Sequence, residues 1–142
     1  MLRTSVNVPL RVLAGLRRHA AMTAPDECCG ALIGAIDRTR IEVRAMVPVA
    51  NATPSTAHYH IDADDVLRLE RQAACAGVHV VGFYHSHPTT SAAPSPLDIE
   101  LACPGYIYLI VQPSTGTVRG WRLRDDRGGF DELDMPLTAG DA

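Results

Sequence analysis

The chain has 142 residues, of which 46% are apolar and 20% charged, which suits one folded domain and excludes a disordered chain. Its formal net charge is −3 and it has no basic tract, which argues against a nucleic-acid partner. All thirteen basic residues are arginine, and the absence of lysine excludes P-loop and Schiff-base chemistry. We find neither a membrane-spanning run of roughly 18 apolar residues nor a signal peptide, and therefore expect a cytoplasmic protein without a membrane partner.

The spacing of the apolar residues predicts a single α/β domain over residues 1–142, with a frayed tail at about 136–142. The predicted strands cover residues 6–8, 30–36, 41–49, 59–61, 78–84, 106–111, 118–123 and 130–135. The predicted helices cover residues 9–22, 63–76 and 95–103. We place His19 of the first helix on the surface. In the second helix we place five side chains toward the core, those of Val66, Leu67, Leu69, Ala73 and Ala74.

The four cysteines, Cys28, Cys29, Cys75 and Cys103, form no Cys-x-x-Cys pair. In a reducing compartment such residues are by default small buried hydrophobic side chains. A disulfide between Cys75 and Cys103 is left open, because sequence alone does not show which cysteines pair.

The segment His85-Ser86-His87-Pro88 follows a buried strand directly. Because successive side chains of a strand point to opposite faces, the two histidines face the same way and can hold one ion between their rings. Ser86 lies on the other face, where we expect a backbone contact. Ser95 and Pro96 suit the start of a helix, which places Asp98 in its first turn, near the histidines. Two imidazoles and one carboxylate make a three-ligand zinc site with a position open for water, as in catalytic zinc sites.

Each part of this pattern also has a plainer interpretation. Ser95 and Asp98 can form only the capping box of a helix. Glu27, which precedes an apolar run, can cap the preceding loop or can face the metal site as a base. His58 and His60 are a rival metal pair, but no spaced carboxylate follows them, so we favour the later pair.

Together these residues resemble the JAMM (MPN-plus) metalloprotease family, whose pattern is a Glu, a distant His-x-His, and Ser-x-x-Asp after a seven-residue gap. Residues 88–94 form that gap, and every motif position is filled, by Glu27, His85, His87, Ser95 and Asp98. The resemblance extends from about residue 6 to residue 123 and fits the compact prokaryotic type of the family. It implies a mixed α+β sheet, curled and flanked by helices as in cytidine-deaminase-like folds.

The resemblance also implies a role for each residue. One zinc ion per chain would be held by His85, His87 and Asp98. Glu27 would accept a proton from water and pass it to the leaving amine, and Ser95 would stabilise the oxyanion. We expect the Ser95 hydroxyl to turn toward the site, so that its helix cap is partly lost.

Family substrates are amide bonds that follow the Gly-Gly C-terminus of ubiquitin-like proteins and, in prokaryotes, of sulfur carriers. The resemblance therefore implies a zinc metalloprotease or isopeptidase, and we expect the carrier's tail to pair with an exposed strand and to end at the zinc. Three alternatives stay open: release of cysteine or another small group from a sulfur carrier, a non-catalytic scaffold, and a RadC-like protein. A zinc deaminase is disfavoured because its Pro-Cys-x-x-Cys signature is missing. The carrier and the oligomeric state, including a homodimer, are left open.

Overall fold

The structure is a computed structural model that describes residues 5–135, so the tail predicted at 136–142 lies outside the described residues. Its helices are α1 (Leu10–Thr23), α2 (Ala63–Cys75) and α3 (Pro96–Leu101). Its strands are β1 (Ser5–Asn7), β2 (Cys29–Ile36), β3 (Arg40–Val49), β4 (His79–Ser86), β5 (Ile107–Gln112), β6 (Thr117–Leu123) and β7 (Phe130–Glu132). The described strands form one mixed sheet in the order β1-β3-β2-β4-β5-β6-β7.

Strand β4 lies in the middle of this sheet, with three strands on each side. It is antiparallel to β2 and parallel to β5. All of its residues except His79 are buried, as expected for an apolar strand that is covered on both faces. Helix α1 covers one face, where Leu16 enters the core, and α2 covers the other through Leu69. The carboxyl end of β4 therefore emerges between layers that hold it firmly.

The alternation of side chains along β4 determines which residues reach each face. Tyr84 packs in the core under α1, whereas His85 points to the opposite side of the sheet. Ser86 returns to the α1 side, where its hydroxyl accepts a hydrogen bond of 2.8 Å from the backbone N–H of Cys28. This is the backbone contact expected for Ser86. On β2, Gly30 is required because a Cβ there would overlap the ring of Tyr84.

The predicted fold class is confirmed, since all three helices and seven of the eight predicted strands are present. The exception is the short strand predicted at 59–61, which lies in an irregular loop. There the side chain of Asn51 replaces strand pairing. Its Oδ1 accepts hydrogen bonds of 3.0 Å from the N–H groups of Thr53 and His60, and its amide nitrogen donates to two backbone carbonyls. Such local bonds compete directly with a strand ladder.

The inward face of α2 is narrower than predicted. Leu69 and Ala73 are buried and Val66 packs against them, as expected. Leu67 and Ala74 are exposed, contrary to the prediction, because they lie one position beyond the 66-69-73 stripe and turn away from the sheet.

His19 was also placed wrongly. It is half-buried, and its Nδ1 lies 2.8 Å from the hydroxyl oxygen of Tyr84. Burial lowers the pKa of His19, so this imidazole stays neutral more readily than a surface histidine.

All four cysteines are free, so the bridge left open between Cys75 and Cys103 is not formed. Cys28 and Cys29 are buried, which agrees with their interpretation as small apolar side chains, whereas Cys75 and Cys103 are exposed, contrary to that expectation. Among residues 5–135 there is no helix whose length and apolar character would let it cross a bilayer.

Candidate metal centre

The two histidines of the His-x-His segment meet at the end of β4. His85 is in the strand and His87 follows its last residue, and the alternation brings both rings to the same face, as predicted. Their Nε2 atoms lie 3.1 Å apart, and both side chains are buried. The Nδ1–H group of His87 donates a hydrogen bond of 2.7 Å to the carbonyl of Ser91, which directs the Nε2 lone pair of His87 toward His85.

Asp98 completes this group from the first turn of α3. Its Oδ2 atom lies 3.2 Å from Nε2 of His85 and 3.1 Å from Nε2 of His87. The same oxygen accepts a hydrogen bond of 2.9 Å from the backbone N–H of Ser95, and the Ser95 hydroxyl accepts one of 3.0 Å from the backbone N–H of Asp98. The capping box is therefore complete, and the expectation that Ser95 would give up its cap was wrong. One carboxylate oxygen caps the helix and faces the histidines at once.

The spacing and chemistry of these three donor atoms fit zinc. Each donor lies 3.1–3.2 Å from the other two. Donor atoms bonded to one tetrahedral zinc at ~2.0–2.1 Å are separated by about 3.3 Å. Two imidazole nitrogens and one carboxylate oxygen are also a donor set typical of catalytic zinc, and they leave a fourth position free.

Burial and mutual contact set the charges of the three groups. Burial lowers the pKa of His85, which favours the neutral, ligating form. Burial also acts to lower the pKa of His87, but hydrogen bonds to Asp98 and Ser91 outweigh it and raise that pKa. Burial acts to raise the pKa of Asp98, yet the two histidines hold it well below its usual range. A carboxylate thus faces two imidazoles, and a cation that binds here competes with protons for the same three donor atoms.

Glu27 stands next to this group, at the entry to β2. Its backbone N–H donates a hydrogen bond of 2.7 Å to the carbonyl of Ser55, which holds the loop against the strand end. Donor atoms of Glu27, His85 and His87 all lie within 4.8 Å of one another. The Oε1 atom of Glu27 is buried and has no hydrogen-bond partner among the described residues. Burial raises the pKa of Glu27 to about 7; nearby His87 opposes this rise and Asp98 adds to it.

The rival pair of histidines does not form a metal site. His60 is exposed and lies 3.8 Å from the carboxylate of Asp62, while His58 lies 3.3 Å from the hydroxyl of Ser55. Within residues 5–135, the group with metal-binding spacing is the one that contains Glu27.

Sequence reasoning missed two residues that organise the site. Tyr59 stacks on the ring of His85, with centroids 4.4 Å apart and planes 23° from parallel. Asn51, which shapes the loop that carries Tyr59, donates a hydrogen bond of 3.3 Å to the backbone carbonyl of Glu27. No sequence signal pointed to Tyr59, because the alternation around it indicated a strand. The turn-forming character of Asn51 was a usable signal for the loop.

A cavity of about 220 Å³ opens beside Asp98. Its lining is mostly apolar and comes from both sides of the site, with Tyr59 and Ile61 from the loop and Leu97 and Leu101 from α3. Leu97 is 40% exposed and Leu101 is 60% exposed, so α3 presents apolar surface at the mouth of the cavity. The centre therefore adjoins a surface suited to an apolar ligand segment.

Comparison with known proteins agrees with this geometry. A family model described as the prokaryotic homologs of the JAB domain matches residues 9–124. The chain belongs to this family. The assignment confirms the JAMM resemblance, and with it the enzyme class, a JAMM-type peptidase.

Individual relatives of this JAB-family chain are similar over most of its length. A desampylase of Haloferax volcanii is 41% identical over 105 residues, which are 72% of this chain and 73% of the relative. A CysO-cysteine peptidase of Mycobacterium tuberculosis is 35% identical over 111 residues, 75% of each chain. The solution structure of a Desulfitobacterium hafniense protein superposes with a TM-score of 0.84 at 28% identity and covers 94% of this chain and 92% of its own.

Proposed function

We propose that this protein is a zinc-dependent peptidase that hydrolyses the amide bond after the C-terminal Gly-Gly of a ubiquitin-like or sulfur-carrier protein in the cytoplasm. One observation carries the proposal: three donor atoms 3.1–3.2 Å apart lie beside a buried carboxylate, that of Glu27, which has an unpartnered oxygen. The names of the relatives, a desampylase and a CysO-cysteine peptidase, support the substrate class.

The metal would be held by Nε2 of His85, Nε2 of His87 and Oδ2 of Asp98. When bound, zinc supplies a Lewis acid that lowers the pKa of water from about 15.7 to ~7 and polarises a carbonyl. His87 is oriented for this task by its bond to Ser91, and Asp98 by its bond to the amide of Ser95. Both partners fix the ligands before any metal arrives, which favours binding.

Glu27 is the proton carrier in this proposal. Its carboxylate accepts a proton from the attacking water while the water oxygen bonds to the carbonyl carbon. It then donates that proton to the nitrogen as the carbon–nitrogen bond breaks, so acid and amine are released and Glu27 is regenerated. A pKa of about 7 in the metal-free protein suits a group that must both take and give a proton near neutral pH.

Ser95 has both a helix-capping and a catalytic role in this proposal. A hydroxyl can accept one hydrogen bond and donate another, so Ser95 can accept from the N–H of Asp98 and still donate to the oxyanion. We expect Ser95→Ala to lower kcat by about 10²–10³-fold, and to reduce the free energy of unfolding by ~1 kcal/mol because the cap is lost. Steady-state kinetics and urea unfolding measure the two effects.

Ser95→Gly separates the two roles, because glycine at a helix N-cap costs only a few tenths of a kcal/mol relative to serine and also lacks the hydroxyl. We expect its kcat to fall as far as that of the alanine variant while most of the stability is kept. Normal kcat in both variants would remove the oxyanion role of Ser95.

The surroundings of the site support a polypeptide tail as the substrate and offer it two places to dock. Strand β1 pairs only with residues 40–42 of β3, so among the described strands the rest of β3 has a partner on one side alone. The last residue of β3 is paired with Cys29, which is paired in turn with His85, so the predicted strand addition fits this edge of β3. The apolar cavity between Tyr59 and Leu97 offers a second path, which ends beside Asp98.

The decisive assay uses ubiquitin-like carriers fused through a C-terminal Gly-Gly to a reporter protein. We expect cleavage directly after the second glycine, detected by mass spectrometry, and little cleavage of a matched fusion that carries Ala-Ala. A zinc chelator should abolish the reaction and added zinc should restore it. Cleavage that persists after chelation, or that ignores the glycines, would reject the proposal.

A second candidate reaction is the release of a single cysteine from a sulfur-carrier C-terminus. The 35% identity to a CysO-cysteine peptidase favours it. Comparing kcat/KM for one carrier extended either by cysteine or by a protein through a lysine side chain distinguishes the two reactions. A larger kcat/KM for the cysteine extension would favour this second reaction, and a larger value for the protein extension would favour cleavage of protein conjugates.

A further inference from the structure

The loop between β4 and α3 is held against the sheet by a tryptophan two strands away. Ala92 in this loop is 1% exposed and packs with Ile110 of β5 and Trp121 of β6. The indole Nε1–H of Trp121, itself buried, donates a hydrogen bond of 3.0 Å to the carbonyl of Ala92. A loop without regular structure is thus fixed at one backbone carbonyl.

The neighbouring carbonyl of the same loop orients a proposed metal ligand. Ser91, one residue before Ala92, accepts the 2.7 Å hydrogen bond from Nδ1–H of His87. The two carbonyls belong to consecutive planar peptide units that meet at the Cα of Ala92, and Ala92 is buried, so the position of one carbonyl restrains the other. By contrast, Nδ1 of His85 has no partner among the described residues, and that ring is held by stacking on Tyr59.

Trp121 is itself held from its other side. The guanidinium of Arg119 lies 4.7 Å from the centre of the indole ring. Arg119 is fixed in turn by two hydrogen bonds, of 2.8 and 2.9 Å, to the carboxylate of Glu132 on β7. The indole therefore has one preferred orientation, in which its N–H reaches the loop.

We infer that Trp121 is a positioning residue for the metal centre: its indole N–H fixes the Ser91–Ala92 backbone, which orients His87 and thereby raises the affinity for zinc. The inference rests on the proposed function, because it assigns His87 as a ligand. Groups that orient ligating histidines typically change metal affinity by about 10–100-fold. Trp121 acts one peptide further out, so we expect the lower end of that range.

The test compares Trp121→Phe with the wild-type chain, both prepared free of metal. Phenylalanine keeps an aromatic ring and removes the N–H donor. We expect its zinc affinity, measured by competition with a chromophoric chelator, to fall about 10-fold. In NMR spectra of the metal-free protein, the Nδ1 proton of His87 should exchange with solvent faster than in the wild type.

Two further variants test whether a loss of zinc affinity comes from the missing N–H donor or from general destabilisation of the fold. Replacing Trp121 by benzothienylalanine keeps the size and shape of the indole and removes only the donor, so it serves if the phenylalanine variant is unstable. Tyr106→Phe removes another hydrogen-bonding group, the hydroxyl that contacts Glu70, without touching the loop. We expect the first to lose zinc affinity and the second to keep it.

The outcomes separate this inference from the proposed function. If the wild type binds zinc and both Trp121 variants bind it within twofold, the role of Trp121 is overturned and the proposed function stands. Equal losses in Tyr106→Phe would also overturn the role, because the effect would then be general destabilisation. A wild-type chain that binds no zinc overturns both.

Discussion

Replacing Glu27 by Gln is expected to leave zinc bound and to reduce kcat by about 10²–10⁴-fold. The amide keeps the size of the carboxylate but cannot accept the proton of water. The metal should remain because the carboxylate of Asp98 lies 3.1–3.2 Å from both imidazoles and completes the donor set without Glu27. Metal content by atomic absorption and kcat on a Gly-Gly fusion measure the two properties separately.

The control for this variant is Glu42→Gln, a glutamate on β3 that is paired with the solvent-facing Arg44 and is remote from the centre. It should have normal kcat and zinc content. If Glu27→Gln retained wild-type turnover, Glu27 would be removed as the base. If the Glu27→Gln variant lost zinc, Glu27 would instead be a metal ligand.

The stability of the metal-free variant gives an independent check on Glu27. Burial raises its pKa from 4.5 to about 7, so between these values the folded chain binds more protons than the unfolded chain. The contribution of Glu27 to the free energy of unfolding therefore falls as the pH rises from about 4.5 through 7. Glutamine does not titrate, so the variant lacks this pH dependence. The melting temperature of Glu27→Gln should exceed that of the wild type at pH 8, and the two should converge near pH 4.

The centre was predictable from the sequence where local rules decide the geometry. Alternation along β4 places His85 and His87 on one face, and the Ser95 cap places Asp98 in the first turn of α3. Both rules act within a few residues. The two interpretations of Asp98, as capping residue and as ligand, were treated as rivals, whereas one oxygen makes both sets of contacts.

What the sequence did not reveal depends on contacts between distant segments. Tyr59 meets His85 across 26 positions, and Trp121 meets Ala92 across 29. No periodicity encodes such pairs, because they follow from the strand order, which places β4 in the middle of the sheet.

Replacing His85 by Ala is the most severe change we predict for metal binding. His85 supplies one of three donor atoms, so zinc affinity should fall by more than the roughly 10–100-fold that follows loss of an outer partner of a ligand. Zinc added to the wild type should raise its melting temperature, since a ligand that binds only the folded state stabilises it. The His85→Ala variant should show no such rise and no detectable turnover.

Two companion variants make this prediction discriminating. Asp98→Asn removes the charge of the third donor while its amide oxygen can still accept from the N–H of Ser95, so it should lose zinc with the helix cap retained. His60→Ala removes an exposed histidine of the rival pair and should leave zinc binding unchanged. If His85→Ala and Asp98→Asn both kept the zinc-induced rise in melting temperature, the metal would be bound elsewhere. The close approach of three donors at the end of β4 would then need another explanation.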